Sequence, residues 1–148
     1  MAIGLTRCSE MLSEEAVRHH IDDEEGVIRV AFVTRSYCNL RGEKLAIVRL
    51  ETPDEGRRCR ASIERAFPCK GDIATTCMVM SCLAADTPLV HAEFDADFEN
   101  LRMVVETVVE DGELTTLQVM SMIDRLVEAA ESWHLSVEGE RQSGRLAA

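Results

Sequence analysis

From Val119 onward the apolar residues Met122, Ile123, Leu126, Ala130, Trp133 and Val137 recur at three- and four-residue steps over about five turns. No strand keeps such a period on one face, so this stretch is predicted to be a helix, with Asp124, Arg125, Glu128 and Glu131 on its other faces. Its start is marked by Thr115-Thr116-Leu117-Gln118, a capping box in which Thr115 and Gln118 satisfy each other's backbone donors. An apolar stripe of this length needs a second layer to cover it.

The upstream pattern supplies that layer. Val27 to Thr34 is β-branched, with Ile28, Val30 and Phe32 on one face and Arg29 and Arg35 on the other. Lys44 to Glu51 reads as a second strand, and Thr52-Pro53-Asp54-Glu55-Gly56 has turn chemistry. Arg58 to Glu64 then alternates, Cys59, Ala61 and Ile63 inward against Arg58, Arg60, Ser62 and Glu64 outward. These three strands predict an antiparallel meander with one wet face. Asp72 to Ala84 places Ile73, Cys77, Met80 and Ala84 at helical spacing, which predicts a short, largely buried helix. Leu89 to Phe94 and Leu101 to Glu110 read as two more strands joined by the acidic turn 95–100, with Asp111-Gly112 closing the second. At the start of the chain, Leu5, Cys8, Leu12 and Ala16 predict a helix over Thr6 to Ile21, ended by Asp22-Asp23-Glu24-Glu25-Gly26.

The predicted fold class is therefore α+β: helix, three-strand antiparallel meander, helix, two strands, C-terminal helix. One domain over residues 1–138 is expected, followed by a flexible tail over 139–148, where no apolar period is sustained.

Charge divides the chain unevenly. Residues 1–70 hold twelve Lys/Arg and twelve Asp/Glu, whereas residues 71–140 hold fifteen acids against only Arg102 and Arg125, so the C-terminal half, with Arg141 and Arg145 included, carries the whole net charge of −11. So acidic a surface repels phosphate backbones, and a nucleic-acid module would have to rest on Arg29, Arg35, Arg49, Arg58 and Arg60, with Tyr37 and Phe32 for stacking. No nucleic-acid partner is expected. The longest uncharged run, Ile73 to Ala85, has thirteen residues, short of the ~20 that span a bilayer. Met1 to Ser9 has no apolar stretch of signal-peptide length, so a cytoplasmic protein with no membrane partner is expected.

The residue types that carry chemistry are scattered. The six cysteines are separated by 30, 21, 10, 8 and 5 residues, with no CxxC pair for a metal cage. Most read as small core hydrophobes; Cys38, in the polar stretch Arg35-Ser36-Tyr37-Cys38-Asn39, is the candidate reactive thiol. His91 and Glu93 share a strand face, which could form an oriented base or simply a polar edge. The eight glycines occur singly, so no phosphate-cradling loop can be built. No catalytic, cofactor or metal residue is assigned.

This order of elements, in an acidic chain of this length, resembles the type III secretion chaperone-like fold, and the sequence is similar to the YbjN-type family of bacterial proteins that share it. The resemblance runs from about Thr6 to Trp133 and is carried by Val27-Ile28-Arg29-Val30-Ala31-Phe32, by Lys44-Leu45-Ala46-Ile47-Val48-Arg49-Leu50, and by Asp111-Gly112-Glu113-Leu114-Thr115. It implies a small acidic homodimer that presents a sheet and helix surface to a polypeptide client, chaperone-like or regulatory, without turnover or cofactor. On that reading Ile28, Phe32, Leu50 and Val105 are the candidate partner-binding patch. The alternative is a thiol-based sensor or small enzyme using Cys38.

Overall fold

The computed structural model describes residues 4–69, 71–109 and 113–146. In chain order the elements are α1 (Leu5–Glu14), β1 (His20–Asp22), β2 (Val27–Val33), β3 (Leu45–Glu51), the single turn α2 (Pro53–Gly56), β4 (Arg58–Pro68), α3 (Ile73–Ala85), β5 (His91–Asp95), β6 (Asn100–Val108) and α4 (Thr116–Gln142). Six antiparallel strands form one sheet in the order β1-β2-β3-β4-β6-β5. β4 leaves the sheet centre through α3, and the chain returns along the far edge as β5 before β6 fills the gap between them.

The two hydrophobic periods meet across one interface. Ile28, Val30, Ala46, Val48, Leu50, Cys59, Ala61, Ile63, Met103 and Val105 line one face of the sheet, and all lie in one core with Cys8, Met11 and Leu12 of α1. Every residue that defines the α4 stripe, from Met122 to Val137, is buried in the same core. Trp133 and Tyr37 are its largest fully buried side chains. Both satisfy their polar handle: Trp133 Nε1 donates to Thr87 Oγ1 at 2.9 Å and the Tyr37 hydroxyl to the Ala66 carbonyl at 3.0 Å. The predicted capping box of α4 is present, with Gln118 N to Thr115 Oγ1 at 3.1 Å and Thr115 N to Gln118 Oε1 at 2.8 Å.

Three expectations are corrected. The first helix stops at Glu14, and its predicted last turn contains the sixth strand, β1. Val17 N donates to Leu12 O and Ala16 N to Ser13 O, a Schellman closure with Ala16 at φ 55°, where glycine is usual. The acidic run 22–25 is then a hairpin turn, closed by Gly26 N to Asp22 O at 2.8 Å. Second, α3 is not largely buried: among its thirteen residues only Thr76 and Met80 are. Third, the chain does not lose its helix at Gly139. α4 continues through Gly139 to Gln142, where Glu138 pairs with Arg141 and Glu140 with Arg145, each at 2.7 Å. Asp111-Gly112, expected to close the last strand, lies outside the described residues.

Candidate functional site

The candidate partner-binding patch does not form. Ile28 and Leu50 have no exposure and Val105 has 1 %. Phe32 is half-buried against the same core. All four sit on the helix side of the sheet, because alternation identifies a shared face without saying which layer covers it. Tyr37, considered for base stacking, is also in the core, edge-on to Phe67 and His134 at 5.9 Å each, and burial pushes its phenol pKa up.

The opposite face of the sheet carries the charge. Arg29, Arg49, Arg58, Arg60 and Arg102 project from it, and each is shared between at least two carboxylates. Arg60 is the hub: it meets Glu93 at 2.6 Å, Glu51 at 3.3 Å and Glu106 at 3.7 Å, and its side chain is only 14 % exposed. The like-charged pair Arg29 and Arg49 stand directly opposite in register and are bridged by one oxygen of Glu25, at 2.8 and 3.1 Å. Arg60, followed by burial acting in the opposite sense and then His91, holds the Glu93 carboxyl below its ordinary range. His91 Nε2 lies 3.2 Å from Glu93, but that carboxylate is already engaged by Arg60. Four of the five arginines considered for nucleic acid are thus neutralised within the protein.

A depression of about 540 Å³ opens on this face, lined by Ile47, Arg49, Glu64, Arg65, Phe98 and Arg102 among others. Sequence reading missed Arg65 and Phe98. The signal was present in the consecutive polar residues Glu64 and Arg65, which break the β4 alternation. In the structure Glu64, Arg65 and Ala66 bulge opposite the single residue Arg102. Arg65 adopts φ 51° and lays its guanidinium over the Phe98 ring, 3.8 Å from the centroid.

The β2–β3 loop is tied to α4 by one side chain. The Glu131 carboxylate accepts from the backbone N–H groups of Arg35 (2.9 Å), Ser36 (3.1 Å) and Tyr37 (2.7 Å). Burial works to raise its pKa, but these donors and the Ser36 hydroxyl outweigh it, so Glu131 titrates below its usual range. Cys38 follows in this loop, half-buried, with its Sγ 3.7 Å from the Ser36 carbonyl. No histidine shares a hydrogen bond with it among the described residues, and His91 lies on the far charged face. His19 is instead held by Ser9 Oγ at 2.7 Å and the Val17 carbonyl at 2.9 Å.

The third feature is α3. Its sequence Ile73–Ala85 has no charged residue, yet Ala74, Met78, Ser81, Cys82 and Ala85 face outward, Met78 at 63 % exposure, with Leu89 at 68 % just beyond. Among the described residues no helix is both long and apolar enough to cross a membrane.

No protein-family model and no curated protein matches this sequence. In structure the chain is similar to YbjN, a proposed transcription regulator from E. coli, with a TM-score of 0.64 at 13 % identity, covering 99 % of this chain and 98 % of YbjN. The fold is YbjN-like. The type III secretion chaperone SycH from Yersinia pestis, solved with a stable fragment of YscM2, is similar over 82 % of this chain and 92 % of its own, with a TM-score of 0.52 at 16 % identity. The expected α+β, chaperone-like architecture is therefore the one observed.

Proposed function

We propose that this protein is a non-enzymatic, homodimeric module that binds a polypeptide, in a chaperone-like or regulatory role in the cytoplasm. The observation that carries the dimer is α3: a helix without charge is ordinarily covered, and here only Thr76 and Met80 are buried within the protomer. A second copy presenting the same face is the simplest symmetric cover. SycH, a structural neighbour, was solved holding a polypeptide fragment, which supports the polypeptide client. Neither that chaperone nor YbjN is described as an enzyme, in keeping with a role without turnover. All six cysteines are free thiols, which suits a reducing compartment. The neutralised arginines of the sheet favour a protein over a nucleic-acid partner.

Light scattering on the reduced protein, repeated with a chelator, tests the dimer. A mass twice the 16.5 kDa of the chain, insensitive to chelator and reduced to 16.5 kDa by Met78→Glu, is expected. A wild-type mass of 16.5 kDa would remove the dimer from the proposal.

A further inference from the structure

The sheet is not continuous across its middle. β3 pairs with β2 along six residues, Leu45 to Leu50, but with β4 along only three, Arg49–Glu51 against Arg60–Ser62. The cause is the β4 bulge, which carries Glu64 to Ala66 away just where they would face Ile47. Thr34 N donates to Lys44 O, which sets the even-numbered residues of β3 as the ones bonding β2. The backbone of Ile47 consequently points toward β4 while lying outside the β3–β4 ladder, a short stretch of edge inside the sheet.

The depression described above lies at this gap, and its lining has a surplus of hydrogen-bond donors. Its acids Glu25, Glu51, Glu64 and Asp95 are all paired with arginines. Among the described residues, Arg65 has no carboxylate, only the Phe98 ring. Apolar surface flanks the gap, with Val33 at 87 %, Phe98 at 57 % and Ile47 at 46 % exposure on the same sheet face. An occupant has to bring an acceptor for Arg65, strand-like backbone for Ile47 and apolar side chains for its neighbours.

The geometry points to an extended polypeptide segment, carrying an Asp or Glu between apolar residues, as the occupant of the cleft between β3 and the β4 bulge. Its backbone pairs with β3 at Ile47, its carboxylate meets Arg65, and its apolar side chains lie on Ile47 and Phe98. This assignment rests on the polypeptide-binding reading above and names the place and the chemistry of that binding.

The probe is a phage-displayed library of random dodecapeptides panned on the purified full-length protein, followed by synthetic copies of the enriched sequences. Enriched peptides are expected to alternate apolar residues around an acid and to lack proline. They should slow amide exchange at Ile47 and lose tenfold or more in affinity on Arg65→Glu. Ile47→Lys, checked with Arg65→Glu for an unchanged circular dichroism spectrum, is a second variant expected to weaken them. Peptides that bind both variants as well as the wild type, or that protect another surface, overturn the cleft assignment and leave polypeptide binding standing. A library with no enriched peptide overturns both.

Discussion

Glu131 is one acidic residue among many in the sequence, yet it holds three consecutive backbone donors of the β2–β3 loop, and its replacement should be felt well beyond an ordinary surface change. A hydrogen bond to a charged acceptor contributes about 1.5–3 kcal/mol when well buried. Here the carboxylate is half-buried and the Arg35 donor is exposed, so water can take over part of each contact, and each stands below that range, at about 1 kcal/mol. The amide oxygen of glutamine can still accept from one or two of the donors. Glu131→Gln should therefore cost about 1–2 kcal/mol and Glu131→Ala about 2–3 kcal/mol, or about 4 °C in Tm per kcal/mol in a chain of this size.

The pH dependence has a definite sign. The folded pKa of Glu131 lies below the ordinary 4.5, so its stabilisation is fully present above that value and disappears as pH falls through the lower folded one. Neither replacement titrates, so the gap between wild type and variant should close in the same interval. Urea unfolding followed by Trp133 fluorescence at pH 7 and pH 3 measures it. A gap at pH 7 below about 0.3 kcal/mol, or one that persists unchanged at pH 3, would refute the latch.

Other substitutions probe the rest of the structure. Thr115→Ala removes the acceptor for Gln118 N and should cost about 1 kcal/mol in thermal unfolding. Arg60→Ala leaves Glu51, Glu93 and Glu106 crowded without their common cation and should cost about 1–3 kcal/mol, largely recovered when Glu93→Gln is added; the Glu93 carboxyl should titrate higher in the single variant, by NMR. Alkylation followed by mass spectrometry should modify exposed Cys82 first and buried Cys8 and Cys59 only on unfolding. A Cys38 that reacts ahead of Cys82 would favour the thiol reading instead.

What could be read from the sequence was what repeats. The α4 stripe and its cap, the three meander strands and the inward set Cys59, Ala61 and Ile63 follow from periods of 3.6 and 2, and the structure has them. What could not be read depends on single backbone conformations or on tertiary cover. Ala16 closes α1 in a conformation that nothing in its side chain announces, and β1 was lost with it. The candidate patch of Ile28, Leu50 and Val105 failed because apolarity marks a face for burial and does not say that α1 and α4 already provide it. Conversely, Asp72 to Ala84 reads as a largely buried helix because it is apolar, although much of it faces outward in the protomer.

The division of charge along the chain also changes meaning once the register is known. Counted in sequence, arginines gather in residues 1–70 and acids in residues 71–140, as though one half could attract what the other repels. In the sheet β6 lies between β4 and β5, so Glu93 and Glu106 of the acidic half fall beside Arg58 and Arg60 of the other half. The asymmetry is thus partly spent inside the molecule, and the charged sheet face approaches neutrality. Arg65 stands apart from these pairs because the β4 bulge turns it toward Phe98. For a chain of net charge −11, that local neutrality is what lets a segment bearing a carboxylate approach this face without meeting the full repulsion of the whole protein.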